Sequence, residues 1–185
     1  MAIVDMTAVP DDEVVVVTNL SDSPVMYQTP GGVQRDFPAK APFKIKAWEL
    51  RELSYDAGGR VLLHDYLKVD NVALAREFGI TDDIVEYNWT DEDITAALTT
   101  ADMNVLLDAL DFAPQAIKDR LVNRAVELEI SDINRREAIT EATGLNITNM
   151  ITNKKAIMDA EEKVETHKRR VATNDTPTTG RRVQN

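Results

Sequence analysis

Cysteine does not occur in this chain, histidine occurs twice, and aromatic side chains make up 5% of its 185 residues. Without cysteine there is no disulfide framework and no thiolate metal site, a composition that fits a reducing compartment. The two histidines, His64 and His167, lie in different segments, and no metal-spaced pair, Ser/His/acid order or nucleophile elbow appears. His167 sits in a charged stretch, while His64 follows Leu62-Leu63 and reads as a half-buried packing residue. The scarcity of aromatics leaves core packing to Leu, Ile, Val and Ala. No stretch approaches the roughly 18 consecutive apolar residues that span a bilayer. Met1-Ala-Ile-Val-Asp5-Met has no basic region ahead of an apolar core, as a secretion signal would. The expectation is a soluble intracellular chain with no cofactor, no metal and no membrane contact.

Glycine is also sparse. Its two pairs, Gly31-Gly32 and Gly58-Gly59, belong to no phosphate-cradling pattern, and both read as turns. Carboxylates are plentiful, but Asp82-Asp83, Asp91-Glu92-Asp93 and Asp108 with Asp111 read as helix-start or solvated acids rather than a general acid/base pair. Calcium-loop spacing is absent. The net charge of −11 is unevenly placed. Residues 154–185 hold eight Lys/Arg against five Asp/Glu, +3, which leaves −14 for the remainder. A field of that sign repels phosphates and favours cationic partners or plain solubility, with solvation of a small domain the favoured reading.

Residues 1–13 are acidic and contain Pro10, which predicts a flexible arm. Val14-Val-Val-Val17-Thr-Asn-Leu20 is a β-branched strand. Ser21-Asp-Ser-Pro24 makes a turn, Pro24–Thr29 alternates as a half-buried strand, and Val33–Phe37 and Phe43–Lys46 supply two more. Together they predict a small antiparallel meander, covered by a helix over Ala47–Leu53. Arg60–Val69 fits a strand or a short helix, and we read its first half as strand. From about residue 70 the spacing turns helical. Thr90 caps a helix carrying Ile94, Ala97 and Leu98. Met103, Leu106, Leu107 and Leu110 form one stripe, and Ile117, Leu121, Ala125 and Leu128 form another. Ser131 or Asp132 caps a helix closed by Gly144, and Asn146 caps a last helix from Ile147 to about Arg170. Its apolar face (Ile147, Met150, Ile151, Ile157) thins past Met158, so its far end projects. Residues 171–185 read as a disordered tail. The fold class is therefore α+β: a β-rich unit over 14–69, then a helical bundle over 70–170.

Residues 133–155 also match a helix-turn-helix, with Ile139, Leu145 and Met150 as its internal core. Its second helix would present Thr148, Asn149, Thr152, Asn153, Lys154 and Lys155 to a groove. The acidic body, with Glu137 and Glu141 on the preceding helix, opposes a nucleic-acid role, because such affinity rests on phosphate neutralisation. A plain αα-hairpin is the competing reading. Lys168-Arg169-Arg170 and Arg181-Arg182 form a further basic cluster.

The order Val17-Thr-Asn-Leu-Ser-Asp-Ser-Pro-Val-Met-Tyr27, Arg35-Asp-Phe37, Glu49-Leu-Arg-Glu-Leu-Ser-Tyr55 and Gly58-Gly-Arg-Val-Leu-Leu63 resembles small structural or hypothetical proteins of tailed bacteriophages. So does the run Leu107-Asp-Ala-Leu-Asp-Phe-Ala-Pro114 with Arg136-Glu-Ala-Ile139 and Thr143-Gly144. Over about residues 14–155 this resemblance implies a non-enzymatic virion or assembly component. It would dock on larger virion proteins around the capsid or head–tail junction, in the virion and, during assembly, the host cytoplasm. The alternative is a helix-turn-helix nucleic-acid-binding regulator using residues 133–155.

Overall fold

The computed structural model describes residues 8–29, 31–80 and 87–174, with side chains as far as Glu165. Residues 1–7, Asp82-Asp83 and the tail from 175, with Arg181-Arg182, lie outside the described residues, as do the side chains of Lys168-Arg169-Arg170.

The architecture is α+β, with an antiparallel β region followed by helices to the C-terminal side. Strand β1 (Val14–Asn19) is central in a three-stranded sheet, between β4 (Pro42–Lys46) and β5 (Leu67–Val69). Val17 faces Phe43 on one side and Val69 on the other, both antiparallel. Strands β2 (Val25–Gln28) and β3 (Gln34–Phe37) form a separate hairpin, closed by a turn with Gly32 at φ 83°.

The expected meander is thus corrected: β1 does not pair with β2. The cause is Asn19, whose amide donates to the carbonyls of Ser23 at 2.9 Å and Phe37 at 3.0 Å, while its oxygen accepts from Ser21 N and Oγ. That buried knot swings the chain out of the sheet where a tight hairpin would have folded it back.

Helix α1 (Ala47–Tyr55) covers the sheet, burying Leu50 and Leu53. A second correction follows at Gly58-Gly59, which open a helix, α2 (Ala57–Asp65), capped by Asp56 accepting from Gly58 N at 3.0 Å. Gly59, Leu62 and Leu63 share its buried face, and His64 is half-buried. A Cβ on Gly59 would stand 1.9 Å from the Leu53 carbonyl oxygen, so this glycine serves close helix approach rather than turning. The first half of 60–69 is therefore helix, and only Leu67–Val69 is strand.

Helix α3 (Val72–Glu77) lies past the expected boundary at residue 70, yet Leu74 and Ile80 pack in the first core with Val15, Phe37, Leu53 and Leu63. The arm is corrected as well. Val9 packs against this core, Trp48 N donates to Asp11 O at 3.1 Å, and Arg51 binds Val9 O, Asp11 and Glu77. Residues 9–13 are docked because Arg51, a buried-stem cation, gathers both acids and a carbonyl.

The second core is helical. It is built by α4 (Asp91–Thr99), α5 (Met103–Phe112), α6 (Gln115–Glu127), α7 (Ile133–Thr143) and the start of α8 (Ile147–Asn174). Thr90 and Asp93 close a capping box, Asp132 caps α7, and Gly144 ends it at φ 73°. Ile94, Leu106, Leu110, Ile117, Leu121, Ile139, Ile147 and Ile151 interlock.

Two stripe positions depart from expectation. Leu107 is 41% exposed and Leu128 38%. Leu128 caps α6; Glu129 then adopts φ 49°, with Glu129 N on Val126 O and Ile130 N on Ala125 O. This Schellman arrangement sends Ile130 into the core in place of Leu128.

Candidate functional site

Three regions hold the chemistry-bearing residues. The first is the seam between the two cores. Arg120, on α6, is 5% exposed. It donates to Trp89 O at 2.8 Å and to Asp91 at 2.9 Å, and reaches Leu20 O at 3.5 Å. Its Nε lies 3.7 Å from Asp22 and has no hydrogen-bond partner among the described residues. Lys40, itself at φ 53°, bridges Asp22 and Asp91 at 2.7 Å each. Two cations and two carboxylates thus tie the β1–β2 turn, the β3–β4 turn and the start of α4 to α6.

Hydrogen bonds from Lys40, then Arg120, hold the Asp91 carboxyl below the ordinary carboxylate range. Burial lowers the Lys40 pKa, and hydrogen bonds to Asp22 and Asp91 more than reverse this, leaving it raised. Nearby, burial and then Asp119 push up the Tyr66 phenol, adding a second contact between α6 and the segment before β5. A cleft of about 540 Å³ runs along the seam, lined by Asp22, Lys40, Asp91, Arg120 and Arg124. Asp91 is fully ionised at neutral pH and saturated by cations, so this arrangement acts as a joint between two cores.

The second region is the α7–α8 hairpin. The structure brings Thr148, Asn149, Thr152, Asn153, Lys154 and Lys155 onto α8, with Thr148, Asn149, Thr152, Asn153 and Lys155 exposed. The internal core differs from expectation: Ile139 is buried, Leu145 is 47% exposed, and Ile147 and Ile151 take the places next to Ile139. Leu145 follows the left-handed Gly144, which turns it outward before α8 begins.

All four cations of residues 133–155 have partners within the protein. Arg135 caps α4 through Ala97 O and Ala101 O, and Arg136 donates to Ile130 O at 2.5 Å. Lys154 caps α6 through Glu127 O at 3.1 Å and Val126 O at 3.3 Å, and Lys155 pairs with Glu129 at 3.0 Å. Of the candidate groove-facing residues on α8, the other exposed ones, Thr148, Asn149, Thr152 and Asn153, are uncharged.

The third region is the far part of α8. Among the described side chains of α8, Ile151 is the last buried one, and Lys155 to Glu165 are all exposed. Ile157 is 59% exposed, Met158 55% and Val164 54%. Ile157, Ala160, Glu161, Val164 and Glu165 line a shallow groove along this single helix.

Among the described residues no group of three or more His, Asp or Glu stands close enough to hold a metal ion. No described helix is long and apolar enough to cross a membrane. The sequence patterns did not single out Arg120, Lys40 or Asp22, which lie far apart in the chain; only Asp91 was flagged, as a helix-start acid. Set against protein-family models, curated proteins and solved structures, the chain matches none.

Proposed function

We propose that this protein is a non-enzymatic bacteriophage virion or assembly component that docks, in multiple copies, on larger structural proteins of the capsid or head–tail region. The observation that carries the reading is α8: after Ile151 it leaves the second core and extends to Asn174 with Ile157, Met158 and Val164 exposed. Past Lys155, which still pairs with Glu129, the projecting part measures roughly 28 Å at about 1.5 Å per residue. Apolar side chains held out on a long helix favour helix-in-groove or helix-on-helix contact. The word-order resemblance of residues 14–155 supports the phage setting, with the virion and the host cytoplasm as locations. The partnered cations of 133–155 favour this reading over the helix-turn-helix alternative, since a groove reader needs cations for phosphates.

The test is incorporation. A chain ending at Ala156 should keep the parent melting temperature and lose co-sedimentation with assembled particles. Normal incorporation of that truncation would overturn the contact-arm reading. Salt-dependent duplex binding, lost on Asn149→Ala with Asn153→Ala, would support the nucleic-acid alternative instead.

A further inference from the structure

The apolar stripe of α8 has a period in the sequence. Met150, Ile157, Val164 and Val171 recur every seven residues, and Ala160 falls at the second apolar position of the same repeat. Met150 packs against the second core, so the stripe starts in the body and runs outward along the helix. A seven-residue repeat keeps one seam facing a single neighbouring helix, whereas a helix lying on a globular core follows a period of 3.6.

Charge indicates which helix that neighbour is. Residues 159–165 carry Asp159, Glu161, Glu162 and Glu165 against Lys163, a net of −3, and Lys168, Arg169 and Arg170 follow with +3. Two such helices laid parallel would put acid beside acid and base beside base. Laid antiparallel, each acidic stretch meets the other copy's basic stretch, twice, about one two-fold axis.

We infer that the far part of α8 pairs antiparallel with the same segment of a second copy, so that the protein acts as a two-fold dimer. The inference rests on the reading of α8 as the contact arm and names its first partner. The attraction between acidic and basic stretches is screened by salt, so salt weakens the pair.

Sedimentation equilibrium of the full chain, from low to high micromolar, tests this. The expected result is a monomer–dimer equilibrium at low salt that shifts towards monomer at high salt. Val164→Asp should abolish the dimer without moving the melting temperature of the body. Glu161→Lys with Glu162→Lys should weaken it roughly tenfold, and adding Lys168→Glu with Arg169→Glu should restore it. Monomer throughout, a dimer indifferent to Val164→Asp, or a charge swap that restores nothing would each overturn the inference. The two readings fail separately. A monomeric protein that still joins particles through residues 157–174 overturns only the pair. A dimer abolished by Val164→Asp, with truncation at Ala156 leaving incorporation normal, overturns only the docking role.

Discussion

Replacing Arg120 by Met removes the guanidinium that spans the seam while keeping an unbranched apolar stem in its place. Trp89 O loses a 2.8 Å donor and Leu20 O a longer one, both in the seam. An acceptor stranded in this way costs about 1–3 kcal/mol. The Asp91 side chain is 58% exposed and keeps Lys40, so that lost ion pair adds less than about 1 kcal/mol after solvent screening. The sum is about 1–4 kcal/mol. For a chain of this size each kcal/mol moves the melting temperature by about 2–4 °C, so a fall of roughly 2–16 °C is expected. Calorimetry adds a second readout. Arg120 joins two separately packed cores, so the parent is expected to unfold in one transition and the variant to broaden or split it. A shift under about 1 °C, with an endotherm as sharp as the parent's, would refute the idea that this side chain couples the cores.

Other substitutions test neighbouring claims. Gly59→Ala should destabilise by about 1–3 kcal/mol or more, because its methyl group meets the Leu53 backbone. Gly58→Ala meets only the Asp56 side chain at 3.2 Å and should stay within about 1 kcal/mol of the parent in chemical denaturation. Glu129→Gly should stabilise by about 1 kcal/mol in the same assay, since glycine relieves the left-handed backbone and the lost Lys155 pair is exposed. Asp91→Asn should lower stability at pH 7. Asp91 is depressed in the folded state, so its contribution is complete above its unfolded value near pH 3.9 and is lost as pH falls through the lower folded value. The melting curves of parent and variant should therefore converge below about pH 4; a constant gap down to pH 2 would contradict this.

Local signals in the sequence carried most of the element types. The β-branched run at Val14–Val17, the Thr90 cap, the Asp132 cap and the Gly144 stop act through neighbouring residues, so they are legible without tertiary structure. Strand partners were not legible, because one buried amide, Asn19, decides them by reaching a carbonyl 18 residues away. Gly58-Gly59 misled because glycine reads as punctuation, whereas here it marks the crossing of two helices, known only once both are placed. Leu128 misled for a related reason: a non-glycine left-handed residue, Glu129, shifts the phase by two and gives the core position to Ile130. The seam could not be read at all, since Asp22, Lys40, Asp91 and Arg120 meet only when the two cores do.

The long last helix also has a thermodynamic meaning apart from its shape. Its first turn is held by Ile147, Met150 and Ile151, which supply a nucleus already formed by the fold. Beyond them, propagation depends on propensity and on local side-chain pairs, without the tertiary packing that supplies most helical stability in proteins. The projecting stretch therefore sits on a helix–coil balance that any covering surface would tip. Far-ultraviolet ellipticity should deepen when a partner is engaged and fade first on mild warming, well before the two cores melt. Ordering of the arm then becomes part of its affinity, and helix-favouring substitutions at exposed positions such as Thr152 would tighten binding without touching the partner.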